Sequence, residues 1–273
     1  MAYLKEPPPR RGVPLAAIPG VARVVADNPG PMTYHGTNTW LIETPGGILV
    51  IDPGPDDAAH LDAVDRATAG EAVGIVLSHG HGDHCAGAAA LAARLGVPVW
   101  GHADFASRVA SIDRTLAEGD AIGGLGVLWT PGHARDHICL ARDDGVVFTG
   151  DQVMAWSSSV VPHPSGSMVD FLRSLERLRD RDDRLYLPGH GPALPDPAPF
   201  VHQLIGYRRR REEKILQALA EGPATADDLT AGLYARRGPD LYVAARNNVE
   251  AHLAKLAAEG AATLGDDGRW HAA

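Results

Sequence analysis

The sequence predicts a mixed α/β layered domain followed by a smaller helical module, and three observations carry that reading. Short apolar runs separated by Gly- and Pro-rich turns alternate with helical stretches up to residue 190. The alternation keeps hairpins as well as strand–helix–strand units, so it is not a pure parallel wind. Four prolines within residues 192–199 then break the chain, and helical periodicity dominates beyond them.

Residues 1–11, with Pro7, Pro8, Pro9, Arg10 and Arg11, are expected to be a loosely ordered lead-in. Strands follow at 22–25, 39–42 and 48–51, and the Gly46-Gly47 pair marks a hairpin between the last two. Helical spacing over 57–69 (Leu61, Val64, Ala67) leads to an uninterrupted apolar run at 73–77, the pattern of a buried strand. A helix over 86–95 and strands at 97–100, 125–129, 137–141 and 146–149 come next, then a helix over 168–180 and a strand at 185–187. We expect a first domain over 1–197 and a second over 198–273, with helices at 200–221, 226–235 and 242–259. A hairpin around Asp266-Asp267-Gly268 closes the chain. Three helices and a hairpin in that order is the layout of a winged helix.

Composition narrows the function classes. There are 25 basic and 34 acidic residues, a formal charge of −9, which argues against a broad nucleic-acid or acidic-lipid surface. The two cysteines, Cys85 and Cys139, need no disulfide framework. Neither a signal-peptide pattern nor a run of about 20 apolar residues is present, so the chain reads as cytoplasmic, with no membrane partner.

The chemistry is concentrated in Leu77-Ser78-His79-Gly80-His81-Gly82-Asp83-His84, which leaves the end of the buried strand at 73–77. Alternate residues of extended chain point the same way, so His79 and His81 can face one ion, and Asp83 and His84 a second after the chain turns. Imidazole and carboxylate suit zinc, iron and manganese. Gly80 and Gly82 are expected to let the backbone fold tightly. Downstream, His133 follows Thr130-Pro131-Gly132, Asp151 follows Thr149-Gly150, and His190 follows Pro188-Gly189. Each would be delivered to a sheet edge by a strand and a Gly turn, and a carboxylate at 151 could bridge two cations. Asp52, in Val50-Ile51-Asp52-Pro53-Gly54, is expected to orient a donor by hydrogen bonding, and His137 is a candidate supporting residue behind the donors. Cys85 is expected to be a small buried thiol packing the helix start.

Taken in order, His-x-His-x-Asp-His, Thr-Pro-Gly-His, Thr-Gly-Asp and Pro-Gly-His-Gly resemble the metallo-β-lactamase superfamily over residues 20–195. The resemblance implies a four-layer αββα sandwich followed by a small C-terminal winged-helix domain. It also implies two divalent metal ions, with zinc favoured over iron or manganese. One would be held by His79, His81 and His133 and the other by Asp83, His84 and His190, with Asp151 between them. Asp83 and Asp151 are then the expected catalytic carboxylates.

The opening Asn28-Pro29-Gly30-Pro31-Met32-Thr33-Tyr34-His35-Gly36-Thr37-Asn38-Thr39-Trp40 and the run Thr130-Pro131-Gly132-His133-Ala134-Arg135-Asp136-His137 are similar to the β-lactamase-like protein 2 group. Tyr207, where that group usually has His, and Ala134, where it has Thr, depart from its pattern. The expected activity is hydrolysis of a small ester, thioester or lactone by a metal-bridging hydroxide. Animal members of the group cleave single-stranded RNA, which makes an endoribonuclease the alternative, and β-lactam hydrolysis is a second alternative as a side activity. Residues 200–273 hold ten basic and ten acidic residues, which argues against a DNA-reading module and for a wall over the site. The run Arg208, Arg209, Arg210 and Arg211 has two readings: a solvated helix face, or a phosphate-recognising patch beside the site.

Overall fold

The computed structural model describes residues 2–105, 107, 109–235, 238 and 241–273; Arg236, Arg237 and Asp240 of the C-terminal charge count fall outside them. The first sheet has seven strands in sequence order: β1 (Leu15–Ile18), β2 (Val21–Val25), β3 (Asn38–Thr44), β4 (Gly47–Ile51), β5 (Ala72–Val76), β6 (Val99–His102) and β7 (Arg114–Leu116). Pairing is antiparallel from β1 to β4 and parallel from β4 to β7. The second sheet runs β13 (Leu194–Pro195), β12 (Leu185–Pro188), β11 (Val146–Gly150), β10 (Ile138–Ala141), β9 (Leu125–Trp129) and β8 (Ala121–Ile122), with β11 and β12 its one parallel pair.

Period-two alternation stacks the two sheets. Trp40, Ile42, Leu49 and Ile51 from one sheet meet Val127, Ile138, Leu140 and Phe148 from the other in a shared core. The intervening Leu41 and Val50 face outward, where α1 (Ala58–Thr68) and α3 (Ala88–Leu95) bury Leu61, Val64 and Leu91 against them. On the far side Cys139, Val147 and Tyr186 are covered by α4 (Met168–Arg179) and the first half of α5 (Pro197–Glu221). The result is the expected αββα order. Local signals start the helices: Asp57 accepts the amide of His60, and Ser167 that of Asp170.

The C-terminal module is the expected winged helix. Ile215 and Leu219 of α5, Leu229 of α6 (Ala226–Tyr234), and Val249, Leu253 and Leu256 of α7 (Tyr242–Ala258) share a second core. The hairpin β14 (Ala262–Leu264) and β15 (Trp270–Ala272) closes it. Helix α5 belongs to both cores, since Phe200, Val201, Leu204 and Ile205 pack on the second sheet. Among the described residues no helix is long and apolar enough to cross a membrane.

Two expectations are corrected here. The N-terminal lead-in is tied down: the Leu4 amide donates to Ala155 O at 2.9 Å, and Glu6 pairs with Arg23, which also donates to Gly191 O at 2.9 Å. The arginine run is not one solvated face, because successive helical residues point about 100° apart: Arg209 and Arg210 are exposed, whereas Arg208 is buried and Arg211 half-buried. Arg208 is completely buried, Arg209 pairs with Glu176 at 2.7 Å, and Arg211 lies over the Tyr234 ring at 4.2 Å.

Candidate metal centre

Carboxyl ends of parallel strands converge on one edge of the sandwich and carry most of the candidate donors. Asp52 follows β4, His79 follows β5, Asp151 follows β11 and His190 stands just past β12. His81 caps the single-turn helix α2 (Gly82–Cys85), which holds Asp83 and His84, and His133 lies in the turn after β9. The strands approach so closely that two glycines are required. A Cβ at Gly150, where φ is +46°, would fall 2.6 Å from His137 Nε2; one at Gly189 would fall 2.5 Å from His84 Cε1 and 2.9 Å from Asp151 Oδ1. Gly82 has no such role, its nearest neighbour being Val109 Cγ2 at 3.7 Å.

All seven predicted donors come together. His79 Nε2 and His133 Nε2 lie 3.0 and 2.9 Å from His81 Nδ1. Next to this trio, His84 Nε2 and His190 Nε2 are 3.1 Å apart, with Asp83 Oδ2 at 3.7 and 3.2 Å from them. Asp151 divides its carboxylate between the clusters: Oδ1 is 3.4 Å from His84 Nε2 and 3.5 Å from His190 Nε2, while Oδ2 is 3.7 Å from His133 Nε2. Tetrahedral ligation at zinc–nitrogen lengths puts donor atoms about 3.4 Å apart, and these spacings scatter around that value.

Hydrogen bonds behind the donors fix which ring nitrogen faces inward. Asp52 Oδ2 accepts from His84 Nδ1 at 2.8 Å and from the Ser78 hydroxyl at 2.7 Å, and the Ser78 oxygen in turn accepts from His79 Nδ1 at 2.9 Å. His133 Nδ1 donates to Val160 O at 2.6 Å, and His190 Nδ1 to Gly36 O at 3.3 Å. His137 serves Asp151: its Nε2 accepts the Asp151 amide at 3.1 Å, which requires Nδ1 to carry the proton given to Thr130 Oγ1 at 2.9 Å. Sequence reasoning gave no role to Ser78, Thr130, Thr37 or Asn38. The Thr37 hydroxyl donates to Asp83 O at 2.9 Å, and Asn38 Nδ2 donates to Pro188 O and Gly191 O at 3.0 Å each, pinning the turn that carries His190. Their signal was present in the Asn28-to-Trp40 motif.

Electrostatics match a cation-binding set. Burial, reinforced by the imidazoles of His84, His81 and His133, holds His79 well below the ordinary histidine value. Burial likewise lowers His133 to about 4. Burial opposes ionisation of Asp151 and Asp83, yet His190 and His84 hold the first, and His84 with the His190 hydrogen bond the second, below the usual carboxylate range. For His84 burial is outweighed by Asp151, Asp83 and Asp52, which push its value up. A proton there answers the same local negative charge that a divalent cation would. Asp151 Oδ1 is buried without a hydrogen-bond partner. A buried carboxylate oxygen with no hydrogen bond, 3.4 and 3.5 Å from two imidazole nitrogens, is costly unless positive charge sits among them, so the residues fit the group.

The centre forms the floor of a cavity of about 460 Å³. Met32, Met154, Trp156 and Val160 line it from the first domain, and Tyr207, Tyr234, Leu241 just before α7, and Ala244 and Asn248 in α7 wall it from the C-terminal side. Among the described residues no Lys or Arg lines it; the charged groups there are Asp83 and Asp151. Two loop histidines lie away from this cleft: His35 is bonded to Glu6 O, and His163 lines a separate surface depression. Cys85, the last residue of α2, is buried in the core with Leu61, Leu77 and Leu91.

The sequence profile of the Metallo-beta-lactamase superfamily matches residues 32–108 and 104–190, and that of the Beta-lactamase associated winged helix domain matches 225–270. The chain is 30% identical over 268 residues to the Beta-lactamase-like protein 2 homolog of Drosophila melanogaster, covering 88% of each. It is 28% identical over 246 residues to the atrochrysone carboxyl ACP thioesterase of Aspergillus fumigatus, covering 82% of this chain and 76% of that one. A beta-lactamase domain protein from Burkholderia ambifaria shares the fold with a TM-score of 0.84 at 25% identity, covering 97% of this chain and 95% of that one. With its donor cluster, its αββα sandwich and its C-terminal module, the chain belongs to the metallo-beta-lactamase superfamily of metal-dependent hydrolases and carries the winged-helix domain associated with it.

Proposed function

We propose that this protein hydrolyses small thioesters, esters or lactones at a dinuclear zinc centre. In this reading His79, His81 and His133 hold one cation, Asp83, His84 and His190 the other, and Asp151 both. The observation that carries the substrate class is the cleft: donors on its floor, apolar side chains on its walls, and no basic residue among its described lining residues. The fungal relative named as a carboxyl ACP thioesterase supports the thioester over the other two. The single-strand ribonuclease reading draws little support from the arginine run, since none of Arg208, Arg209, Arg210 and Arg211 is among the lining residues of the cleft.

Divalent cations bound here supply Lewis acidity toward the scissile carbonyl and a low pKa for water at neutral pH. The chain's own residues do the rest. Asp151 keeps the two donor clusters at a fixed separation through its two oxygens. Asp83 is the more exposed carboxylate, its side chain 33% accessible against 10% for Asp151, and it stands at the cleft where it can reach a proton of the bound substrate or water. Met154, Trp156 and Val160 take the acyl portion and exclude water from the floor. Tyr207 and Tyr234 present phenols at the mouth for the polar part of the substrate.

The test is a panel of acyl thioesters, aryl esters, lactones and single-stranded RNA, assayed with zinc-loaded protein at 50 and 200 mM salt. The expected result is thioester turnover that changes less than about threefold with salt, since no row of phosphate contacts is released. RNA cleavage that falls steeply with salt, without thioester turnover, would replace this reading with the nuclease one.

A further inference from the structure

His133, like His190, takes its orientation from a loop carbonyl and not from a strand-end side chain. Its Nδ1–H is held by the carbonyl of Val160 at 2.6 Å, in the segment between Asp151 and α4. That peptide is bracketed by the C-terminal helices. Arg208, in α5, donates through Nη2 to the carbonyl of Ser159 and through Nη1 to Asn248 Oδ1 at 2.9 Å. Asn248, in α7, uses the same Oδ1 to accept the amide of Val161 at 3.1 Å. The groups immediately before and after Val160 are thus both anchored by residues outside the first sheet pair.

Arg208 is an expensive way merely to fill space. It is completely buried, its Nε has no partner, and its hydrogen bonds and ring contacts are to neutral groups: Asn248, the Ser159 carbonyl, and the rings of Phe171 at 5.2 Å and Tyr207 at 5.9 Å. An unbranched apolar side chain would occupy the position without desolvating a charge. What the guanidinium adds is direction, because its planar fork fixes a carbonyl and an amide oxygen together.

We infer that Arg208 and Asn248 are positioning residues for His133, so that the winged-helix module sets the aim of one metal donor as well as walling the cleft. The inference rests on the dinuclear reading above, and the experiment separates the two. Metal-free full-length protein is titrated with Co²⁺ against a competing chelator and followed by the visible cobalt absorption, with far-UV circular dichroism of each metal-free form as the folding control. Wild type takes two equivalents. Asn248→Leu keeps one equivalent at wild-type affinity and binds the other at least about tenfold more weakly, the usual size of such supporting contacts. Asn248→Asp, which still accepts from both Arg208 and Val161, stays within about threefold of wild type. If the Leu variant does not fold, Arg208→Lys carries the comparison, with the same single equivalent weakened. Equal affinities in all variants, equal weakening of both equivalents, or equal losses for Leu and Asp overturn the inference and leave the dinuclear reading standing. Failure of the wild type to take up two equivalents overturns both.

Discussion

Asp52 holds His84 by a 2.8 Å hydrogen bond from Nδ1 to Oδ2, and the same carboxylate fixes His79 at one remove through the Ser78 hydroxyl. One buried carboxylate therefore orients a donor in each cluster, although it ligates nothing itself. It does so from a left-handed backbone conformation, φ +51°, that Asp and Asn tolerate better than other side chains.

Asp52→Asn keeps the shape and the backbone tolerance but removes the charge. It is expected to fold normally and to lose about 10- to 100-fold in metal affinity, measured by chelator competition. Wild-type affinity would show that the carboxylate is only a packing element.

Gly189→Ala places a methyl against His84 and Asp151, at 2.5 and 2.9 Å before relaxation. Rigid strand ends on both sides leave little room to yield, so the variant is expected to lose about 1–3 kcal/mol of stability. It should also bind one metal equivalent where wild type binds two. Elemental analysis with a urea melt checks both.

How much of the fold and the centre is legible in the sequence differs by kind of residue. The seven donors and Asp52 stand in short motifs, where histidine and aspartate recur beside glycine at the ends of apolar runs, and the long strands announce themselves by alternation. Strands β7, β8 and β13, of three residues or fewer, are too short to show any period. Val160 and Gly36 act through their carbonyls, which every residue possesses, so identity carries no signal there. The arginine run misleads because adjacency in sequence is divergence on a helix: Arg208 points into the protein while Arg209 reaches Glu176 on the surface.

Stability of the metal-free protein should depend on His60, which is no candidate donor. Burial lowers its pKa from 6.5 to about 4, and its Nε2 sits 2.8 Å from Thr39 Oγ1. The unfolded chain takes up this proton near pH 6.5 and the folded one only near 4. The contribution is therefore complete above 6.5, falls as pH drops through that window, and is gone below 4. Its size is on the order of 3 kcal/mol. His60→Gln should flatten the fall in urea midpoint between pH 7 and 4.5; an unchanged slope would contradict the assignment.

Trp156 tests the acyl wall. It lines the cleft and stacks on Tyr34 at 4.9 Å. Trp156→Ala is expected to raise KM about tenfold for long-chain or aromatic acyl thioesters and to leave acetyl thioesters nearly unchanged, as loss of apolar contact predicts. A uniform fall in kcat across all chain lengths would point instead to a disturbed His190 turn.

The central claim, that the seven donors form one dinuclear centre, is tested most directly by elemental analysis of metal-replete protein beside an Asp151→Ala variant of verified fold. The account predicts about two divalent ions per chain in the wild type and at most one in the variant, since the shared carboxylate is gone. A wild type with no bound metal, or a variant that retains both ions, would contradict it.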